Sequence, residues 1–260
     1  MMWVPEQVAT VMRFGTLAQR KKLGFLPQLQ STEKSWSQLT LRMTSYPLSL
    51  RELLNDQARL IAHGNQVVSS LITAYLAAEE QGLVMRSIQP ATVYFDRTLD
   101  HAMFVDLRST CQVGDDVDFQ GESHAPYCSE RFFSRDWLKN SETERDMWSI
   151  GVLLLEILLG TKLVLAHEGF LNIKDLLETF EKCFDPQTLG ILKWYLFIEA
   201  GVNSKTYLEQ TLGSKPDLIG NNIKRVNYIA TDDFTIQDYK DWAESKFEEN
   251  RAKWQEKYQL

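Results

Sequence analysis

The chain has 260 residues, 44% of them hydrophobic and 24% charged, with a formal net charge of -7 at pH 7. That supplies a sizeable core for one large domain or two small ones, and 11% aromatic content excludes whole-chain disorder. The negative balance argues against nucleic acid and against an anionic membrane surface as partners.

The first residues, MMWVPEQVAT, lack the basic-then-apolar order of a secretory signal. The stretch holding Arg13, Arg20, Lys21 and Lys22 lacks the serine richness of a transit peptide. PEQVATVMRFGTLAQRKKLG (5–24) reads as a helix: Pro5 suits its first turn, the basic residues its last, and Gly24 its stop. FLPQLQ (25–30) and SQLTLRMTSYP (37–47) read as two short strands around a polar turn, STEKSW (31–36). A short helix follows at LSLRELLND (48–56). In NQVVSSLITAYLAAEEQG (65–82), Val68, Leu71, Ile72, Tyr75 and Leu76 recur at helical spacing, and Gly82 closes the element. The loop LVMRSIQPATVYFD (83–96) leads into two extended segments, ATVYFD and HAMFVDL, joined by a turn at RTLD. Residues 108–126 form a polar stretch with Asp115, Asp116, Asp118 and Glu122.

The longest apolar run, MWSIGVLLLEILLG (147–160), is too short for a membrane span and is interrupted by Glu156. A helix over 146–160, apolar on nearly every side, is expected to be buried in a large core. Helical patterns continue in NIKDLLETFEKCF, PQTLGILKWYLFIEA and SKTYLEQTL. The final segment, from Thr235 to Leu260, is a charged helix whose Tyr239, Trp242, Phe247, Trp254 and Tyr258 form an interrupted stripe. That stripe fits a tail packed on its own domain and a partner-binding helix equally well.

Four stretches then fall in a specific order: SYPLSLRELL, LVMRSIQPATVYFD, FVDLRS and RDMWSIGVLLLEILLG. In that order and spacing they resemble the hinge with its following helix, the catalytic loop, the DFG segment and the core helix of the protein kinases. The resemblance spans roughly residues 5 to 215. It implies an α+β, mainly α fold: a kinase-like C-terminal lobe with a truncated N-terminal lobe of one helix and two short strands. The domains it implies are an N-lobe remnant over 1–46, the helical C-lobe over 47–215, and an extension with the charged helix over 216–260.

The resemblance also marks where chemistry is lost. A kinase needs a carboxylate to accept the substrate hydroxyl proton, and Ser87 stands there, with no charge at neutral pH. Gln89 stands where a Lys would touch the transferred phosphate, and Thr92 where an Asn would bind metal. Met85 replaces the His that starts the loop, while Arg86 is kept. In the DFG-like segment Asp106 keeps the metal-binding carboxylate, but Gly has become Arg108, so the lone Asp is placed to pair with that Arg. Glu130 in APYCSERFF, Asp146 and Trp148 match positions that are structural in kinases. The 13 glycines are scattered, with no Gly-rich phosphate loop or partnering Lys, and Met12, Arg13 and Phe14 stand where a helix Glu would pair. If each missing part supplied even ~2–4 kcal/mol, little acceleration would remain.

Other constellations carry less. Cys111, Cys128 and Cys183 are too scattered for a disulfide framework or a zinc cluster, so a reducing, cytoplasmic setting is expected, with cytoskeletal and organellar assemblies left open. His63, His101, His124 and His167 have no metal spacing, Ser129 near His124 lacks a nucleophile elbow, and GDDVDFQGE lacks the EF-hand register. The expectation is a catalytically inactive scaffold, structural or regulatory subunit of a larger assembly, with no metal and no cofactor. Other protein subunits would cover residues 3–46, using Trp3 among their contacts, and would engage Tyr239, Trp242 and Trp254 on the last helix. Two alternatives stay open: an unusual phosphotransferase completed by a second chain, and a pseudoenzyme holding nucleotide as a structural ligand.

Overall fold

Helix α1 begins at Pro5 and runs to Lys21, with Glu6 in its first turn and Arg20 and Lys21 in its last, each opposite in sign to the adjacent end of the helix dipole. The structure, a computed structural model, describes residues 5–35, 38–115, 127, 143–159 and 186–196. The readings at Trp3, Glu130, Tyr239, Trp242 and Trp254, and those for the helices over 172–184, 204–212 and 235–260, lie outside the described residues. Val11, Phe14 and Ala18 form the buried face of α1. The stop differs from the expectation at Gly24. Lys22 takes the left-handed conformation, with φ 54°. The Leu23 N–H then reaches back to the Ala18 carbonyl at 2.9 Å, as in a Schellman cap with Lys in the place usually held by Gly.

Strands β1 (Leu29–Lys34) and β2 (Leu39–Met43) form an antiparallel ribbon with a register shift between Leu29 and Ser31. β1 therefore runs through most of the stretch read as a turn, because Phe25 and Leu26, taken as its start, are instead buried in the core ahead of it. Gly15 lets α1 lie on this ribbon: a Cβ there would sit 2.6 Å from the Met43 methyl and 3.2 Å from Leu29 Cβ.

A two-residue strand, β3 (Leu48–Ser49), precedes helix α2 (Leu50–Asn55). Ser49 and Glu52 make a reciprocal capping box, and the bonds from Ser49 hold the Glu52 carboxyl below its ordinary range. Asp56 ends α2 and caps α3 (Gln57–Glu80) by accepting the Arg59 N–H at 3.1 Å, so α3 starts eight residues before the strongly periodic stretch. Gly82, with φ +64°, turns the chain out of α3.

Beyond it the strands are short. β4 (Leu83–Val84) pairs antiparallel with β7 (Cys111–Gln112), and β3 pairs with β5 (Val93–Phe95), which pairs with β6 (Ala102–Phe104). Part of the stretch read as a polar loop is thus strand β7. Helix α4 (Glu144–Leu159) has Met147, Ile150 and Val152 through Leu155 all buried, and α5 (Pro186–Leu196) packs beside it. At the contact a Cβ on Gly151 would lie 2.7–2.9 Å from Leu196 and Tyr195, so only Gly permits this approach. The Tyr195 ring meets Tyr75 of α3 edge-on at 5.8 Å. The architecture is mixed α/β, with small antiparallel sheets beside a helical core built on α3, α4 and α5. Among the described residues no helix is long and apolar enough to cross a membrane.

Candidate functional site

The loop from Met85 to Thr92 is fixed from beneath by Asp146 of α4. That carboxylate, wholly buried, accepts the Met85 N–H on one oxygen and the Arg86 N–H at 2.9 Å on the other. Arg86 has φ 62°, a left-handed conformation that an L side chain adopts only when its surroundings hold it. The bond to Asp146 is one such restraint. Burial pushes the Asp146 carboxyl up to about 6, against the pull of those two backbone bonds and of Arg145 and Arg86. The Arg86 side chain is buried too, and its guanidinium is held below its ordinary value by burial and then by Arg145. It stays charged at neutral pH. Burial raises the nearby Cys111 thiol to about 11, which leaves it an unreactive thiol at neutral pH.

Two hydroxyls lock the rest of the loop. Ser87 is buried and its Oγ donates to the Asp106 carbonyl at 3.2 Å and, more weakly, to the Met85 carbonyl at 3.4 Å. Thr92 Oγ1 donates to the Ser87 carbonyl at 2.6 Å and accepts the Gln89 N–H at 3.1 Å. Both hydroxyls bind backbone and hold the loop closed.

Asp106 follows strand β6. Its Oδ1 accepts from the Arg108 N–H at 3.1 Å and from Arg108 Nε at 2.9 Å, while its Oδ2 accepts from the second guanidinium nitrogen at 2.7 Å. This is a bidentate, charge-assisted pair with the Asp106 side chain 9% and the Arg108 side chain 19% exposed. Three of roughly four acceptor positions on the carboxylate are thereby taken.

Above these residues lies a cleft of about 350 Å³. Val11, Pro27, Met43, Thr44 and Ser45 line one side, and Thr92, Val105, Asp106, Leu107 and Arg108 the other. Of the sequence candidates, the structure brings Thr92, Asp106 and Arg108 to the cleft wall. It sets Ser87 against the Asp106 backbone, buries Met85 and Arg86 beside Asp146, and leaves Gln89 and Trp148 half-buried. Among the described residues no group of three His, Cys, Asp or Glu could hold a metal ion.

No protein-family profile matches the chain, and no curated protein matches its sequence. A solved structure does match: the kinase PK-1 of Cydia pomonella granulovirus, with a TM-score of 0.55 and 14% identity over 81% of each chain. The fold is protein-kinase-like. At 14% identity the likeness describes the course of the backbone and carries nothing about activity.

In this kinase-like frame, three features escaped the sequence reading. Arg145 is buried beside Asp146. Glu156 is fully buried and accepts the Tyr127 hydroxyl at 2.9 and 3.1 Å. Arg13 of α1 donates to Gln112 at 2.8 Å and faces Asp115 at 3.6 Å, tying the first helix to the end of β7 and the segment after it. For the first two the signal was available: a charge inside or beside a wholly apolar helix must find a partner when that helix is buried.

Proposed function

We propose that this kinase-like chain is catalytically inactive and works by binding other proteins, as a scaffold, structural or regulatory subunit. The observation that supports it is the Asp106–Arg108 pair. The carboxylate that a phosphoryl-transfer site would use to hold a divalent cation is already neutralised by a guanidinium two residues away. A magnesium–nucleotide complex does not fit these residues, because the cation would have to displace Arg108 from a largely buried carboxylate. Ser87 cannot replace the missing base: its hydroxyl is uncharged and bonded to backbone. The binding role draws on the β1–β2 ribbon, where β1 is exposed along five of its six residues and neither strand has a second neighbour among the described residues. Such edges are ready to be covered, and we assign that task to another subunit.

The opposing reading, an active phosphotransferase, draws on the Asp106 carboxylate kept at the cleft wall. Melting the purified full chain with ATP and magnesium separates the two. Ligand at 100 times Kd adds about 2.7 kcal/mol, or roughly 5–10 °C at this chain length. The inactive reading expects no shift and no transfer of the γ-phosphate to a general protein substrate. A shift with turnover makes the chain an enzyme, and a shift without turnover makes nucleotide a structural ligand.

A further inference from the structure

The cleft has room for a ligand, and the side-chain hydroxyls and the charges on its wall are already engaged. Thr44 donates its N–H to the Gln28 carbonyl at 3.0 Å, and its Oγ1 accepts the Gln28 N–H at 2.7 Å. Ser45 Oγ donates to the Tyr46 carbonyl at 3.1 Å. Thr92 spends its hydroxyl on the loop beneath, its N–H on the Gln89 carbonyl and its carbonyl on the Val105 N–H. The one negative and one positive charge on the wall neutralise each other across 2.7 Å. What remains of the lining is mostly carbon, with Val11, Pro27, Met43, Val105 and Leu107 contributing to it.

A charged or strongly polar ligand entering here loses its water and finds few free partners, whereas an apolar one gains from burial. The volume falls in the range of small-molecule pockets, roughly 300–1,000 Å³. We propose that this cleft is a binding site for an uncharged, predominantly apolar small molecule that carries no phosphate. The proposal rests on the reading of Asp106 and Arg108 as a closed pair, given above.

Two dyes that share one aromatic frame provide the test. N-phenyl-1-naphthylamine is neutral, and 1-anilinonaphthalene-8-sulfonate adds a single negative charge. Both are titrated into the full chain by fluorescence, beside ATP with magnesium. Saturable, one-to-one binding of the neutral dye, at least tenfold tighter than the sulfonate, is expected. Val105→Phe, which fills the space, should weaken it at least tenfold while leaving the far-UV spectrum and Tm in place. A second readout does not depend on that variant folding. With methionine methyls labelled, the neutral dye should shift the Met43 methyl, which lines the cleft, and leave the buried Met103 methyl unmoved.

Dye binding that spares Met43, or that Val105→Phe leaves unchanged in a folded protein, overturns the assignment. Absence of neutral-dye binding together with absence of ATP binding overturns this inference alone and leaves the inactive reading standing. Saturable ATP–magnesium binding tighter than the neutral dye overturns this inference, and the inactive reading falls with it only when γ-phosphate turnover accompanies that binding.

Discussion

Arg108 is separated from Asp106 by one residue, close enough for its backbone N–H and its side chain to reach the same carboxylate. Replacing Arg108 by Ala takes the countercharge from a carboxylate whose side chain is 9% exposed in the wild type, so a loss of about 1–3 kcal/mol is expected in denaturant unfolding, with no gain of phosphotransfer. Asp106→Asn should remove most of the added damage. A double-mutant cycle reading near zero would mean that the two side chains do not stabilise each other. Asp146 makes a prediction with the opposite dependence on charge. Its carboxyl is raised in the folded chain from 3.8 to about 6, so the folded state holds the proton more tightly than the unfolded state. The stability from this term is present at low pH and is lost as pH rises through about 6. Asp146→Asn gives one of the two backbone N–H groups a donor to face instead of an acceptor, at about 1–3 kcal/mol. Between pH 7.5 and 5 the wild type should gain on the order of 1 kcal/mol relative to that variant. A constant difference across this range would show that the group does not titrate there. At this scale the sequence carried the identity of both carboxylates, since motif order placed them. It could not carry the direction of the Ser87 hydroxyl, which depends on a carbonyl 19 residues away.

Among the elements, legibility followed amphipathicity. α1, α3 and α4 were readable because each presents apolar residues at helical spacing to a core, and β5 and β6 because they alternate or fill it. β1 was misplaced because its residues Gln30 to Lys34 face water and carry no hydrophobic pattern. β3, β4 and β7 are two residues each, below the length at which any period exists. The first two turns of α3 were missed because the cap is Asp56, shared with the end of α2. The two close contacts made by helix glycines were likewise invisible, and they separate cleanly by experiment. Ala at either position gains up to about 1 kcal/mol of helix propensity. At Gly151 the new methyl would meet Leu196 Cγ and Tyr195 Cβ, atoms close to a backbone that cannot move aside, so a net loss on the order of 1 kcal/mol is expected. At Gly15 the nearest atom is the end of the flexible Met43 side chain, so Gly15→Ala should stay within about 0.5 kcal/mol of wild type. Equal losses in chemical denaturation would mean that the two approaches are equally rigid.

Across the whole molecule, stability should be unevenly spread. The helical core joins α3, α4 and α5 through fully buried side chains, and the 85–92 loop is bonded into it by Asp146. The β1–β2 ribbon rests on α1 through Leu29 and Met43 and turns most of its other residues outward, including Leu39 at 44% exposure. Local opening free energy tracks buried contact, so hydrogen exchange on the isolated chain should be slowest at the amides of α4 and of Met85 and Arg86. It should be fastest, among the strands, in β1 and β2. A subunit that covers the ribbon would reverse that order, because pairing along an open edge protects the amides it engages. The same measurement on the chain within its native assembly should therefore slow β1 and β2 at least tenfold and leave α4 unchanged. If the ribbon is already as protected as α4 in the isolated chain, it is a finished part of the core and needs no partner, and the binding role must be sought on another face.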